Sequence, residues 1–94
     1  MKYPDWENFY EISLPFVAPE DGFVFFYSAL EDGDSISFNI NGSTAYYASV
    51  SGAYKTRQSS PTPVKKGDII TLGNYSRYRE YSYTGYSVKF YPCK

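Results

Sequence analysis

The stretch "SISFNINGSTAYYASV", residues 35–50, constrains the fold more than any other part of the chain. Its first six residues alternate between polar and apolar side chains, which is the period of a β-strand with one buried face. Asn41 and Gly42 follow, and this pair supplies the two positive φ angles of a type I′ turn. The sequence therefore predicts a β-hairpin, and with it an antiparallel sheet.

The register of this hairpin stays open, because the returning strand carries apolar side chains in both phases. A two-residue loop places Tyr47 opposite Ile36, whereas a three-residue bulged loop places Tyr46 opposite Phe38. The two registers put different tyrosines on the buried face of the strand.

Four further segments have the pattern of short strands: "YEISLPF", "GFVFFYSAL", "IITLGNYS" and "GYSVKFYPCK". Pro15 places the first at a sheet edge or ends it. The second has apolar groups on both faces, which indicates a central strand or one covered by a second subunit. Residues 51–63 are predicted to form a long exposed loop. We expect one domain, residues 1–94, folded as an all-β antiparallel sandwich, jelly-roll-like, of seven or eight short strands.

The amino-acid composition favours sheet over helix, since 21% of the 94 residues are aromatic, including 12 tyrosines and 7 phenylalanines. A chain of this length buries only roughly 60 to 65% of the surface that its unfolded form exposes. Small domains without a disulfide or metal often gain stability by association, so the composition favours a homo-oligomer.

Charge is distributed unevenly along the chain. Residues 1–47 carry one lysine against eight acidic residues, a net charge of −7, and residues 48–94 carry eight basic residues against two acidic ones, a net charge of +6. If the halves form different faces, the molecule is electrostatically two-sided. If they interleave, as in a Greek key, the opposite charges lie side by side.

Catalytic chemistry has few candidate residues here. The chain has no histidine and a single cysteine, Cys93, which rules out histidine-based triads, thiolate metal clusters and an intramolecular disulfide. The acidic residues lie in turns, where solvation explains them, and Asp32 to Asp34 match only a fragment of a calcium loop. We expect no enzymatic activity, no metal site and no cofactor.

No apolar run approaches the roughly 20 residues of a membrane span, and the first ten residues lack the apolar core of a signal peptide. The sequence predicts a soluble chain without membrane insertion.

The segment "NYSRYREYSYTGY", residues 74–86, holds five tyrosines and two arginines. Read as a strand over residues 75–83, it has no clean core face. Tyrosine and arginine are common contact residues, and together they suit a partner surface or a sugar platform. The candidate ligand-binding residues are Tyr75, Arg77, Tyr78, Arg79, Tyr81 and Tyr83, joined by Tyr54 and Arg57 from the long loop.

Two alternatives apply to the same segment. Its tyrosines could pack as cross-strand pairs, with the arginines covering their faces. Its mixture of arginine and tyrosine could also stack on nucleic-acid bases, but a net charge of −1 and the lack of a dense basic cluster disfavour nucleic acid as a partner.

Four motifs, in this order, resemble the C-terminal domains of tailed-bacteriophage fibre and receptor-binding proteins: "FVAPEDGFV", "INGS", "PVKKGDII" and "VKFYPCK". The resemblance spans about residues 14–94. The tyrosine-rich segment is outside the shared pattern, as a variable recognition surface would be.

The resemblance implies a jelly-roll-like sandwich, often trimeric, located on a virion and used for structure or for attachment to a host-surface glycan or protein. It implies either the tip of a longer fibre or a small free-standing virion protein. The alternative function is that of a monomeric carbohydrate-binding module whose exposed tyrosines stack on sugar rings.

Overall fold

Two antiparallel sheets pack face to face in this protein, of which the computed structural model describes residues 3–94. The first sheet has the order β1-β9-β3, with β6 and β7 both paired to β3, and the second has the order β2-β8-β4-β5. The described residues contain no helix that could cross a membrane. The strands are β1 Tyr10–Ile12, β2 Phe16–Val17, β3 Gly22–Leu30, β4 Ser35–Ile40, β5 Ser43–Ser49, β6 Lys55–Gln58, β7 Thr62–Val64, β8 Ile69–Ser76 and β9 Gly85–Pro92.

The strand order is that of a jelly roll. Because β6 and β7 pair with successive halves of β3, they share one strand position, and the nine strands fill eight positions in two four-position sheets. The predicted all-β antiparallel sandwich is confirmed. As expected, β3 is central, since β9 pairs with one of its edges and β6 and β7 with the other.

The predicted hairpin forms around a two-residue loop. Asn41 and Gly42 have φ angles of 53° and 85°, and Ile40 pairs with Ser43 directly across the loop. Both central residues thus have the positive φ that the type I′ turn requires.

The register beyond this loop combines the two predicted alternatives. A bulge follows the turn, so that Phe38 pairs with Tyr46 and Ile36 with Ala48. The pairing of Tyr46 with Phe38 is confirmed, but the extra residue lies in the returning strand and not in the loop. The pairing of Tyr47 with Ile36 is wrong, because the bulge shifts every later residue by one position.

Three predicted segments differ from the structure. The segment "YEISLPF", residues 10–16, is not one strand, because β1 ends at Ile12 and β2 begins at Phe16 in the other sheet. Residues 51–63 are not one loop, since they contain β6 and the first two residues of β7. The four side chains of β6 are all polar and exposed, so no alternation marks this edge strand. The tyrosine-rich segment continues β8 only as far as Ser76, and residues 77–84 form a loop instead of a strand.

The core lies between the two sheets and is largely aromatic. Phe26 of β3 and Phe38 of β4 are fully buried and stack at 4.7 Å between ring centroids. One polar contact also crosses the core, where the hydroxyl groups of Ser28 and Tyr46 are hydrogen-bonded at 2.8 Å. This bond satisfies the buried hydroxyl group of Ser28 and links β3 of one sheet to β5 of the other.

The acidic and basic halves of the sequence interleave. Strand β3, from the acidic half, pairs with β9 and β6 from the basic half, and β4 pairs with β8 in the same way. Opposite charges therefore lie side by side, and the halves do not form two separate faces.

The turns after β2, β4 and β7 lie together at one end of the sandwich, beside the end of β9. The Asp68 carboxylate accepts a hydrogen bond from the Asn41 side chain at 3.0 Å, and the Asp21 carboxylate accepts one from the backbone N–H of Lys66 at 2.9 Å. The backbone N–H of Cys93 donates to the carbonyl oxygen of Asp21 at 3.3 Å. These turns hold one another in place through main-chain and side-chain hydrogen bonds.

Candidate functional site

Three loops lie together at the other end of the sandwich, and we call this region the loop end. They are residues 31–34 between β3 and β4, residues 50–54 between β5 and β6, and residues 77–84 between β8 and β9. Seven of the eight predicted ligand-binding residues lie in or directly beside these loops.

Asp34 holds the loop end together from within. Its side chain is 1% exposed, and its carboxylate accepts hydrogen bonds from the backbone N–H groups of Glu31 at 3.0 Å and Tyr78 at 2.8 Å. Nearby, the Asp32 carboxylate accepts a hydrogen bond from the backbone N–H of Gly52 at 2.6 Å. The turn at residues 31–34 thus anchors both of the other loops.

Tyr75 and Arg77 support the loop from below. The Tyr75 ring packs against the core and meets the Tyr86 ring edge-on at 5.2 Å, and burial raises the pKa of Tyr75. The Arg77 guanidinium lies 5.3 Å from the Tyr75 ring and donates to Glu80 at 3.2 Å and to Thr84 at 3.3 Å. These contacts give the two residues a packing and positioning role.

Tyr83, Tyr81 and Tyr54 form an aromatic cluster above this support. The Tyr83 hydroxyl donates to the Glu31 carboxylate at 2.5 Å, and this hydrogen bond, with some loss of hydration, raises the pKa of Tyr83 to about 12. The rings of Tyr81 and Tyr83 stack at 5.1 Å with an angle of 9° between their planes. The Tyr54 ring meets Tyr83 edge-on at 5.0 Å, so the long loop does contribute to the cluster.

Tyr78 is the most exposed tyrosine of the loop end, with 74% of its surface accessible. The Arg79 guanidinium lies 5.6 Å from its ring and donates to the Tyr81 hydroxyl at 2.9 Å, a hydrogen bond that raises the pKa of Arg79. Together with Glu31 and Asp32, these residues line a depression of about 260 Å³.

The structure divides the eight predicted residues into three groups. Tyr54, Tyr78, Arg79, Tyr81 and Tyr83 share the surface of the loop end, whereas Tyr75 and Arg77 pack beneath it. Arg57 is exposed on β6 opposite Ser28, and its side chain makes no hydrogen bond or ion pair with residues 3–94.

Sequence reasoning missed two residues of this site, Glu31 and Asp32, because acidic residues in a turn are explained by solvation alone. The strand order could have indicated that these two residues lie beside the tyrosine-rich loop. In an antiparallel sandwich, the turn after β3 lies at the same end as the loop that precedes β9, since β3 and β9 are antiparallel neighbours.

The depression combines aromatic faces, a guanidinium and two carboxylates, so it can stack on a ligand and both donate and accept hydrogen bonds. Two of its lining groups are carboxylates, and their negative charges would repel the phosphate groups of a nucleic acid. The geometry suits noncovalent recognition of a polar, hydroxyl-bearing ligand. Neither a protein-family model, nor a curated protein, nor a solved structure matches the chain.

Proposed function

We propose that this chain is a non-enzymatic virion module, of the phage fibre or receptor-binding tip type, that attaches to a host-surface glycan or protein through its loop end. The proposal combines the motif resemblance with the surface described above. It assigns recognition to the loops and stability to the two sheets, the arrangement common in β-sandwich binding domains.

The observation that carries the proposal is that Tyr78 combines an exposed ring with a fixed backbone. Its ring is the most exposed aromatic ring at the loop end, yet its backbone N–H is fixed by the buried Asp34 carboxylate. An exposed aromatic ring on a fixed backbone loses little conformational entropy on binding, which is what recognition by tyrosine exploits.

The turns that carry the phage-type motifs support the same proposal from the opposite end. Asp21, Asn41 and Asp68 are engaged with backbone groups or with each other, so these side chains join the turns at that end. These contacts give the motif residues a structural role and leave recognition to the loop end in this proposal.

We further propose that the module assembles as a homotrimer. At Phe25, the Trp6 ring packs edge-on at 5.8 Å and covers part of the outward side of β3, so the strand does not need a partner subunit there. Val17 and Ile69, which pair across β2 and β8, remain exposed and offer apolar surface to a neighbouring subunit.

The alternative function, a monomeric carbohydrate-binding module, is favoured by one observation. The parallel planes of Tyr81 and Tyr83 and the open ring of Tyr78 lie beside hydrogen-bonding groups, as a sugar platform requires. The two functions share a surface and differ in assembly.

Binding is tested on an array of bacterial surface polysaccharides and on whole bacterial cells, with the wild type beside Tyr78→Ala. The matched control is Tyr47→Ala, which removes another highly exposed tyrosine from β5, outside the loop end. We expect Tyr78→Ala to reduce binding about tenfold or more, given the usual cost of removing an aromatic anchor, and Tyr47→Ala to leave it unchanged. Equal loss in both variants, or in neither, would refute a role for the loop end.

Assembly is tested by light scattering after size exclusion over a range of concentrations. A mass near three times 10.8 kDa supports the virion trimer. A monomer at every concentration favours the carbohydrate-binding module instead.

A further inference from the structure

A second depression lies on the outer face of the first sheet, and we call it the outer-face depression. It has a volume of about 260 Å³ and is lined by side chains from β1, β3, β6 and β9. None of its residues belongs to the loop end, and none was expected from the sequence to bind a ligand.

The sheet register explains why its side chains meet. Residues that pair across antiparallel strands project from the same face, and the pairs here form two adjacent rows. The rows are Glu11, Lys89 and Phe25 in one, and Ser87, Tyr27 and Gln58 in the other.

The polar groups of the outer-face depression remain available to a ligand. Glu11 and Lys89 are opposite each other in the register of β1 and β9, yet no ion pair joins them among the described residues. The Lys89 ammonium lies 5.1 Å from the Phe9 ring instead. The side chains of Glu11 and Gln58 make no hydrogen bond within residues 3–94. The site thus offers a carboxylate, an amide and an ammonium group around one opening.

Two aromatic residues of the outer-face depression differ in their packing: among the described residues, Phe25 is held by neighbouring rings, and Tyr27 is not. Phe25 is packed between Trp6 at 5.8 Å and Tyr91 at 5.1 Å, which makes it a rigid floor. Tyr27 is 38% exposed, and in the part of the chain that the structure describes its ring pairs with no other aromatic ring. Part of the Tyr27 side chain is therefore accessible to a ligand in the depression.

We propose that the outer-face depression binds a neutral saccharide, with one sugar ring against Tyr27 and Phe25. A pyranose ring has an apolar face of C–H groups, which suits an aromatic surface, and a rim of hydroxyl groups, which suits Glu11, Gln58 and Lys89. The opposite charges of Glu11 and Lys89, on neighbouring strands, favour a neutral ligand over an anion.

The size of the site fits this ligand class. Sites for drug-sized molecules have volumes of roughly 300 to 1,000 Å³, and this smaller depression suits a single ring whose chain continues across the open sheet. This inference does not depend on the loop end, since the two sites share no residue.

Trp6 provides a selective probe of this site. It is the only tryptophan in the chain, it is 53% exposed, and its ring contacts both Phe25 and Tyr91. The experiment titrates the full chain with cellotetraose, maltotetraose, N-acetylchitotetraose and α-1,6-mannotetraose, and records Trp6 fluorescence. We expect at least one tetrasaccharide to give a saturable change with a Kd on the order of 0.1 to 1 mM, because only one face of a ring is contacted.

Three variants locate the binding. Tyr27→Ala is expected to weaken the affinity about tenfold and Gln58→Ala about fivefold, whereas Tyr27→Phe retains the ring and should bind within about twofold of the wild type. Gln58 lies on the exposed edge strand β6, so its replacement leaves the core intact even if Tyr27→Ala fails to fold.

Amide chemical shifts give a second readout that separates this site from the loop end. The saccharide should move the signals of residues 25–27, 58 and 87–89 and leave those of residues 77–84 in place. The proposal is overturned if no tetrasaccharide changes Trp6 fluorescence, if Gln58→Ala and Tyr27→Ala bind as the wild type does, or if the shifts move only at the loop end. The last result would support the loop-end site and refute this one.

Discussion

The buried carboxylate of Asp34 accepts a hydrogen bond from the backbone N–H of Tyr78 at 2.8 Å, although 44 residues separate the two in sequence. The same carboxylate accepts the N–H of Glu31 at 3.0 Å. One side chain of the β3–β4 turn therefore sets the position of the most exposed tyrosine, so the proposed binding surface depends on a buried residue outside it.

Replacing Asp34 tests this dependence. Asp34→Ala leaves two backbone N–H groups without their acceptor and should lower the free energy of unfolding by about 2 to 4 kcal/mol. Amide hydrogen exchange at Tyr78 should accelerate more than exchange in the core strands. Chemical denaturation and exchange measured by NMR check both effects.

Asp34→Asn is the matched control, since the amide retains one acceptor oxygen at nearly the same size. It should retain more of the stability than Asp34→Ala and protect only one of the two N–H groups. If both variants exchange at Tyr78 as slowly as the wild type, the anchoring role of Asp34 is wrong.

The hydrogen bond between Ser28 and Tyr46 should couple the two sheets energetically. Tyr46→Phe removes the hydroxyl group that the buried Ser28 uses, and we expect it to lower the free energy of unfolding by about 1 to 2 kcal/mol. Ser28→Ala in the same background should then cost less than it does alone, with a coupling energy of about 0.5 to 1.5 kcal/mol. Urea denaturation of the four proteins measures this cycle, and strictly additive effects would contradict the coupling.

The fold was predictable where side-chain periodicity and turn residues agree. The alternation in β4 and the pair Asn41-Gly42 predict the hairpin, and the apolar groups on both faces of β3 predict a central strand. Strand β6 was not predictable in this way, because it is polar at every position and forms only by pairing with the exposed edge of β3.

The candidate sites were likewise predictable only where their residues are close in sequence. The tyrosines of residues 77–84 are close in sequence, so composition alone predicts a cluster there. Glu31 reaches that cluster from a distant turn, and the outer-face depression combines four strands. Such groupings depend on the register of the strands. The bulge after Phe38 shifts the register by one residue, and no clear sequence signal marks it.

The hydrogen bond from Tyr83 to Glu31 predicts a pH dependence at alkaline pH. Since the pKa of Tyr83 rises from 10.0 to about 12, the folded state favours the protonated phenol. The resulting stabilisation is fully present below pH 10 and is lost as the pH rises through 12. Glu31→Ala should return the pKa of Tyr83 towards 10.

Carbon-13 NMR of ring-labelled tyrosine, with Tyr83→Phe for assignment, measures this pKa directly. Asp32→Ala is the control, because it removes a neighbouring carboxylate without removing the hydrogen bond. A Tyr83 signal that titrates near pH 10 in the wild type would show that the bond to Glu31 does not persist in solution.

Asp68 predicts a pH dependence of the opposite sign. Hydrogen bonds from the Lys65 backbone and the Asn41 side chain lower the pKa of Asp68 below its ordinary value of 3.8. A lowered pKa in the folded state gives a stabilisation that is present above pH 3.8 and is lost as the pH falls through the folded-state pKa. Asp68→Asn lacks this titration, so its deficit in unfolding free energy relative to the wild type should shrink in acid.

Urea denaturation of both proteins between about pH 5 and pH 2 measures the deficit across the titration. The pKa of Asp5 is also lowered, chiefly by the hydrogen bond from the Asn8 side chain, but Asp5 titrates in both proteins and cancels in the difference. Asn41→Ala provides an independent check, because it removes one of the two donors and should bring the pKa of Asp68 closer to 3.8. If the deficit in unfolding free energy stays constant between about pH 5 and pH 2, these two hydrogen bonds do not favour the charged carboxylate over the neutral one.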